Sequence, residues 1–377
     1  MKKIGLLLGT RPDAIKMAPV ALALKETKDF EPFIVASAQH RELLDQVIKL
    51  FDLDVNVDFN LMKENQDLFY ITRGLIKNMK KVLDEQKLDL LLVQGDTTTS
   101  FVAALCAFYK QIPVGHIEAG LRTLDKYQPF PEEMNRVFID DVSDLLFAPT
   151  QWAKNNLLKC GVAESKIYVT GNTGIDSLKW VINNTAPEKK IGQLIPVDKK
   201  LILFTCHRRE SFGKQVEGIL KAVRVIADRK DVFIIYPVHP NPNVKKPAER
   251  ILGSLPNVKL IEPVSYKNIV FLLSKSYLVL TDSGGIQEEA PSFKVPILVL
   301  RDKTERPEGI ESGVARLLGT NKDKILKEVS LLLDNENERK KMIKDKNPYG
   351  DGKASGRILT AISEFFEKVK LFNENSI

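Results

Sequence analysis

Short apolar runs alternate with helix-length segments along the whole chain, and that alternation limits the fold more than any other feature. Residues 4–8, 33–37, 88–93, 112–117 and 145–148 are continuous apolar runs rather than alternating ones. Strands buried on both faces of a helix-covered parallel sheet read this way. Segments 14–25, 41–51, 68–86 and 98–109 predict the intervening helices. The second half repeats the scheme, with strands predicted at 201–205, 232–238, 258–261, 277–281 and 296–300. Such alternation means right-handed β-α-β units and an open parallel sheet. Two series predict an α/β protein of two doubly wound domains, which the length of 377 residues accommodates. The stretch 183–200, with Pro187, Gly192, Pro196 and no clear period, reads as the linker.

Composition narrows the class. The three cysteines, Cys106, Cys160 and Cys206, are odd in number and far apart, which argues against a disulfide framework or a zinc-binding pair. Four histidines, His40, His116, His207 and His239, are too scattered for a metal cluster. The net charge of +7 invites a nucleic-acid partner. However, the densest basic knot, Lys77, Lys80 and Lys81, is broken by Asn78 and Met79, and no aromatic residues interleave with it. A smaller anionic ligand fits better, since charge alone indicates attraction and not a partner. The N-terminal apolar stretch ends at Gly9, too short for a secretory signal, and no run approaches a membrane span. The expectation is a cytoplasmic protein with neither membrane nor nucleic acid as partner.

In open α/β sheets ligands bind beyond the carboxyl ends of the strands, and two such edges can face each other across a cleft. The polar residues after each run therefore matter most. Gly9-Thr10-Arg11-Pro12-Asp13 opens a helix containing Lys16, a turn suited to an anion. It is neither G-x-G-x-x-G nor a Walker-type loop. Asp96 follows the third run and Glu118 the fourth. Paired strands lie about 4.8 Å apart, so these two carboxylates should approach each other, raising one pKa toward the range useful for proton transfer. Asp96 could equally be a helix cap. Glu132, just after Pro131, shares a helix face with Arg136, whereas Glu133 lies about 100° around. In the second half His207 and His239 each follow a strand, where a buried structural histidine is the plain alternative. Ser283, Gly284 and Gly285 then leave backbone N–H groups open at a helix start, as a diphosphate would require. Glu289 on that helix suits a ribose diol, and Arg301 to Arg306 add cations after the last run.

Taken together, Gly9-Thr10-Arg11-Pro12, Gln39-His40-Arg41, Gly95-Asp96-Thr97-Thr98-Thr99, His116 to Thr123, Pro131-Glu132-Glu133, Gly171-Asn172-Thr173, His207 to Ser211, Thr281 to Pro291, Thr304 to Pro307 and Asn347 to Gly350 resemble the non-hydrolysing UDP-N-acetylglucosamine 2-epimerases. The motifs keep the family's order from residue 4 to about 358. The resemblance implies a GT-B-like fold, two Rossmann-like domains facing across a cleft that holds a UDP-sugar. Residues 1–175, with a C-terminal helix at 356–377, would form the first domain and 176–355 the UDP-binding second. It implies reversible inversion at C2, giving UDP-N-acetylmannosamine through elimination of UDP, a 2-acetamidoglucal and re-addition, with no metal and no cofactor. Asp96, Glu118, Glu132 and His207 would be catalytic. Arg11, Lys16, Arg136, Ser283, Gly284, Gly285 and Arg306 would bind phosphate or sugar, with Glu289 on the ribose. An effector pocket would draw on Gln39, His40 and Gln66, although Glu42 and Asn65 depart from the Gln and Arg common there. Ile269 stands where the family often has an aromatic ring, so uracil recognition would rest on backbone groups and apolar contact, without ring stacking unless Tyr266 supplies it. A homodimer is also implied. The rivals are a UDP-sugar glycosyltransferase or a hydrolysing epimerase of the same fold. A nucleic-acid-binding protein would explain the charge but not the acids at the strand ends.

Overall fold

The computed structural model describes residues 1–37, 41–63, 66–208 and 212–375. The chain divides into two compact units, Met1–Ser177 with Tyr349–Ile377, and Leu178–Pro348. Unit 1 is built on β1 (Lys2–Leu8), β2 (Phe30–Ala36), β3 (Val55–Asp58), β4 (Leu90–Gln94), β5 (Val114–Ile117), β6 (Leu145–Ala148) and β7 (Ile167–Val169). These form one sheet in the order β3-β2-β1-β4-β5-β6-β7, with every pair parallel. Unit 2 carries β8 (Lys200–Thr205), β9 (Val232–Pro237), β10 (Val258–Ile261), β11 (Leu278–Thr281), β12 (Ile297–Val299) and β13 (Ala315–Leu317). Its order is β10-β9-β8-β11-β12-β13, again all parallel. Leu90, Leu91, Leu92 and Val93 in β4, like Leu278, Val279 and Leu280 in β11, have no exposed surface. Both faces of these strands are covered, which is why they read as unbroken apolar runs.

Each strand order reverses once, between β1 and β4 in unit 1 and between β8 and β11 in unit 2. At such a point the chains leaving two neighbouring strands diverge to opposite faces and leave a crevice. The loops after β1 and β4 open at one reversal, and those after β8 and β11 at the other.

Three strands that the apolar pattern did not predict, β3, β7 and β13, lie at or near the sheet margins and are three or four residues long. Their side chains are partly exposed, so the continuous run that marks a central strand is missing. The predicted linker at 183–200 is also different in the structure. It belongs to unit 2, where Ile191 is buried and Leu194 and Ile195 pack against the core around Leu201 and Leu272. Its backbone is tied down as well: Glu188 N–H donates to Asn268 Oδ1 at 3.1 Å and Asn268 Nδ2 to Glu188 Oε1 at 3.0 Å. The division between units falls instead inside the helix Thr173–Asn184.

The last helix, Ala354–Asn375, belongs to unit 1 and packs against the helix Arg11–Lys25 through a face bearing Ile358, Ala361 and Ile362, all buried. Asp176 secures its start: one carboxylate accepts the Ala354 and Ser355 N–H groups at 3.1 and 2.9 Å and the Ser355 hydroxyl at 2.7 Å. A carboxylate satisfies otherwise orphaned N–H groups there and meets the positive end of the helix dipole. Asp176→Ala should therefore cost about 1–2 kcal/mol of unit 1 stability. Urea unfolding would show the loss, and limited trypsinolysis would cut the C-terminal helix sooner than in the parent protein.

Candidate active site

At the reversal in unit 1, β1 hands over through Gly9 to the helix Arg11–Lys25. A Cβ on Gly9 would come within 2.8 Å of Thr99, so only glycine lets this turn press against the neighbouring helix Thr98–Tyr109. Arg11 and Pro12 form the first turn, and Asp13 is buried beneath it, its Oδ2 accepting the Thr10 N–H at 3.0 Å and the Thr97 hydroxyl at 3.4 Å. Burial pushes the Asp13 carboxyl up to about 7, and the nearby Asp96 charge adds to that rise, against the lowering effect of Thr10 and Thr97. One turn on, Lys16 is also buried and its Nζ donates to Glu118 Oε1.

Glu118 follows β5 in the left-handed region, at φ 72°, unusual for a residue with a side chain. Its N–H and that of Ala119 both donate to the Phe147 carbonyl, at 3.1 and 3.2 Å, which pins the turn. The second carboxylate oxygen accepts from Gln94 Nε2 at 2.7 Å and passes over Gly95, where a Cβ would lie 3.3 Å away. Asp96 follows β4. Arg136 Nη2 donates to its Oδ2, and Asn135 Nδ2 donates to its backbone carbonyl at 2.9 Å. Arg136 also donates to Glu133 Oε2 at 2.9 Å, and Glu133 accepts the Thr123 and Leu124 N–H groups at 3.0 and 2.9 Å. The Asp96 side chain is 27% exposed while Arg136 is 4% exposed, so the acid is presented and its cation lies behind it.

This geometry changes three sequence expectations. Asp96 and Glu118 each face a cation, Arg136 and Lys16, and the carboxyl that feels the Asp96 charge is Asp13. Arg136, expected on phosphate or sugar, turns both arms of its guanidinium to carboxylates. Glu133, which sequence reasoning turned away from the site, orients Arg136, whereas Glu132 opens the helix Glu132–Val142 and is half-buried. A capping-box spacing from Thr10 to Asp13 was visible in the sequence but says nothing about burial. His116, on β5, is wholly buried.

The reversal in unit 2 holds a second group. Asp282, fully buried after β11, accepts the His207 and Arg208 N–H groups at 2.6 and 2.8 Å, and its Oδ1 lies 3.2 Å from His207 Nδ1. Burial works to raise the Asp282 pKa, but the His207 ring and these N–H donors outweigh it and hold the carboxyl below its ordinary range. The His207 ring, about a third exposed, stacks on His239 with centroids 5.7 Å apart. Ser283 precedes the short helix Gly284–Glu289. A Cβ on Gly284 would meet Arg306 Cζ at 2.5 Å, so the guanidinium lies flat against that glycine, whereas a Cβ on Gly285 would meet nothing within 4 Å. Arg306 Nε donates to Glu288 Oε1 at 2.6 Å and its Nη1 to Glu305, while Arg301 Nη1 reaches Glu305 at 2.9 Å. Burial alone would raise the Glu305 pKa, yet Arg306, Arg301 and Arg208 hold it far below the carboxylate range. Glu289 accepts the Tyr266 hydroxyl at 2.9 Å, and both residues are buried. Tyr266 is thus a partner of Glu289 rather than an open ring for stacking. Of the expected effector residues, Gln66 accepts the Lys63 N–H at 3.1 Å; Gln39 and His40 lie outside the described residues.

Acids thus gather at one strand-order reversal and a histidine with clustered arginines at another, in an α/β chain of two parallel sheets. The family model for UDP-N-acetylglucosamine 2-epimerase matches residues 22–363, and the chain belongs to that family. An Escherichia coli K12 UDP-N-acetylglucosamine 2-epimerase is 49% identical over 368 residues, covering 96% of this chain and 98% of the relative. The crystal structure of the Neisseria meningitidis UDP-GlcNAc 2-epimerase bound to UDP-GlcNAc superposes with a TM-score of 0.92 at 45% identity, covering 97% of this chain and all of that one. A UDP co-structure of Staphylococcus aureus MnaA gives 0.91 at 46% identity, with 97% of each chain covered.

The raised Asp13 pKa carries a signed consequence. Between the unfolded value near 3.8 and the native value of about 7, the native state binds a proton that the unfolded chain has lost. The stabilisation from this group is therefore present at low pH and is lost as pH rises toward 7. Asp13→Asn keeps an oxygen for the Thr10 N–H but cannot titrate. Its stability relative to the parent protein should rise between pH 5 and pH 8, by a few kcal/mol at most, in parallel urea unfolding curves.

Proposed function

We propose that the two units divide one reaction, the reversible interconversion of UDP-N-acetylglucosamine and UDP-N-acetylmannosamine, with unit 2 serving the UDP and unit 1 the sugar. A base takes the C2 proton, the C–H electron pair becomes the C1=C2 bond, and the C1–O bond breaks with its electrons leaving on UDP. UDP then adds back to the 2-acetamidoglucal while C2 is protonated from the other face. Inversion by this route needs acid–base groups on both faces of the ring. Asp96, Glu118 and Glu132 supply them. The observation that carries this reading is the pairing of Asp96 with Arg136 and Glu118 with Lys16 at adjacent strand ends, in a chain similar along its length to an epimerase that binds UDP-GlcNAc.

In this reading Lys16 and Arg136 set the direction of the two acids. The departing diphosphate is received in unit 2 by Arg306, the N–H groups at Ser283, Gly284 and Gly285, and His207, donors fixed before charge develops. Asp282 holds His207 in place, and the Tyr266 hydroxyl aims Glu289 at the ribose.

The protein works in the cytoplasm as a homodimer. The dimer is supported by an apolar row on the helix Leu68–Glu85, where Phe69 and Ile76, two turns apart, are 83% and 45% exposed. Asp96→Asn and Glu118→Gln should each leave UDP binding by calorimetry within about threefold of the parent. Each should also lower C2 proton exchange with solvent by about 10² or more. Unchanged exchange in both variants would sink the assignment.

A further inference from the structure

Behind the acids lies an imidazole that this reaction does not use. His116 sits on β5, opposite Val93 of β4 and Leu146 of β6, and has no exposed surface. Its Nδ1 is 2.6 Å from Asp140 Oδ1, and its Nε2 is 2.7 Å from the Gly95 carbonyl oxygen. Asp140 is buried too, with Arg122 Nη2 2.6 Å from its other oxygen, and Arg122 Nη1 donates to the Leu121 carbonyl at 2.8 Å. A carbonyl can only accept, so Nε2 carries a proton and donates it to Gly95. A second proton lies in the Nδ1–Asp140 contact. The ring is thereby fixed at both nitrogens.

The carbonyl it grips belongs to the peptide unit whose N–H is that of Asp96. Gly95 itself stands at φ 66°, the left-handed region, so this turn has freedom that contacts from outside must remove. Three such contacts all trace to the helix Glu132–Val142. Arg136 holds the Asp96 carboxylate, Asn135 holds its carbonyl, and Asp140 acts through His116 on the carbonyl before it.

We propose that His116 is a positioning residue for Asp96: held by Asp140 and Arg122, it fixes the Gly95–Asp96 peptide and so the place from which the Asp96 carboxylate transfers a proton. This rests on the reading of Asp96 as an acid–base group. Displacing a reacting group by about 1 Å can cost about 10² in rate, so the effect should be large in kcat and small in KM.

Two substitutions separate positioning from packing. Both remove the ring and leave one amide. In His116→Gln the amide reaches the position of Nε2 and can still donate to Gly95; in His116→Asn it ends near Nδ1 and reaches only Asp140. His116→Gln should keep kcat for C2 exchange within about fivefold of the parent, whereas His116→Asn should lose about 30-fold or more, with KM within about twofold in both. Equal kcat losses in the two variants, or losses that appear in KM, would overturn the proposal. Should either variant fail to fold, Asp140→Asn acts through the ring without removing it. That variant should lower kcat by about tenfold at unchanged KM, and an unaltered kcat would likewise overturn the proposal. Asp96→Asn in the same assay separates the two levels. If it abolishes exchange while His116→Asn does not, positioning alone fails; if it leaves exchange intact, the reading of Asp96 fails and takes the positioning role with it.

Discussion

The reversal of strand order is the constraint on which the rest depends. Where β1 meets β4, and again where β8 meets β11, neighbouring strands send their chains to opposite faces of the sheet, and no connecting helix covers the gap. Polar groups that would be intolerable inside the sheet collect there: Thr10 to Lys16 and Asp96 in unit 1, His207 and Asp282 in unit 2. Close-packed apolar strands beneath, such as Leu90 to Val93 and Leu278 to Leu280, keep those groups from drifting.

Burying so many charges is tolerable only because almost every one is answered. An uncompensated charge in a low-dielectric interior costs several kcal/mol, about the stability of a whole domain. Glu118 has Lys16, Asp96 and Glu133 share Arg136, and Glu288 and Glu305 share Arg306. Asp13 is the instructive contrast. Its contacts are a backbone N–H and a hydroxyl, with Asp96 nearby, and its carboxyl holds its proton to about pH 7. The same site thus contains acids fixed in place by cations and one that burial keeps protonated to about pH 7.

Much of this was legible in the sequence, for a physical reason. Central parallel strands are buried on both faces and leave unbroken apolar runs, so β1, β4, β5, β8 and β11 could be read, and with them the residues that follow. The margins β3 and β13 are half-exposed and lose that signal. The candidate acids Asp96 and Glu118 follow from their position after strands. Their partners do not, because whether Arg136 turns to Asp96 or to a phosphate is decided by contacts far apart in sequence. Helical angles alone misplaced Glu133: its long side chain folds back to Thr123, Leu124 and Arg136. The segment 183–200 shows the opposite error. Proline and glycine suggested a linker, but Ile191 buries itself in the unit 2 core.

Proton NMR of UDP-N-acetylglucosamine with the enzyme in deuterated water tests the central claim, that carboxylates in unit 1 invert C2 while UDP departs and returns. The expected result is loss of the C2 proton signal from the starting sugar as deuterated UDP-N-acetylmannosamine grows to equilibrium, with no free sugar released. Retention of the C2 proton in both nucleotide sugars, or accumulation of free N-acetylmannosamine with UDP, would contradict it.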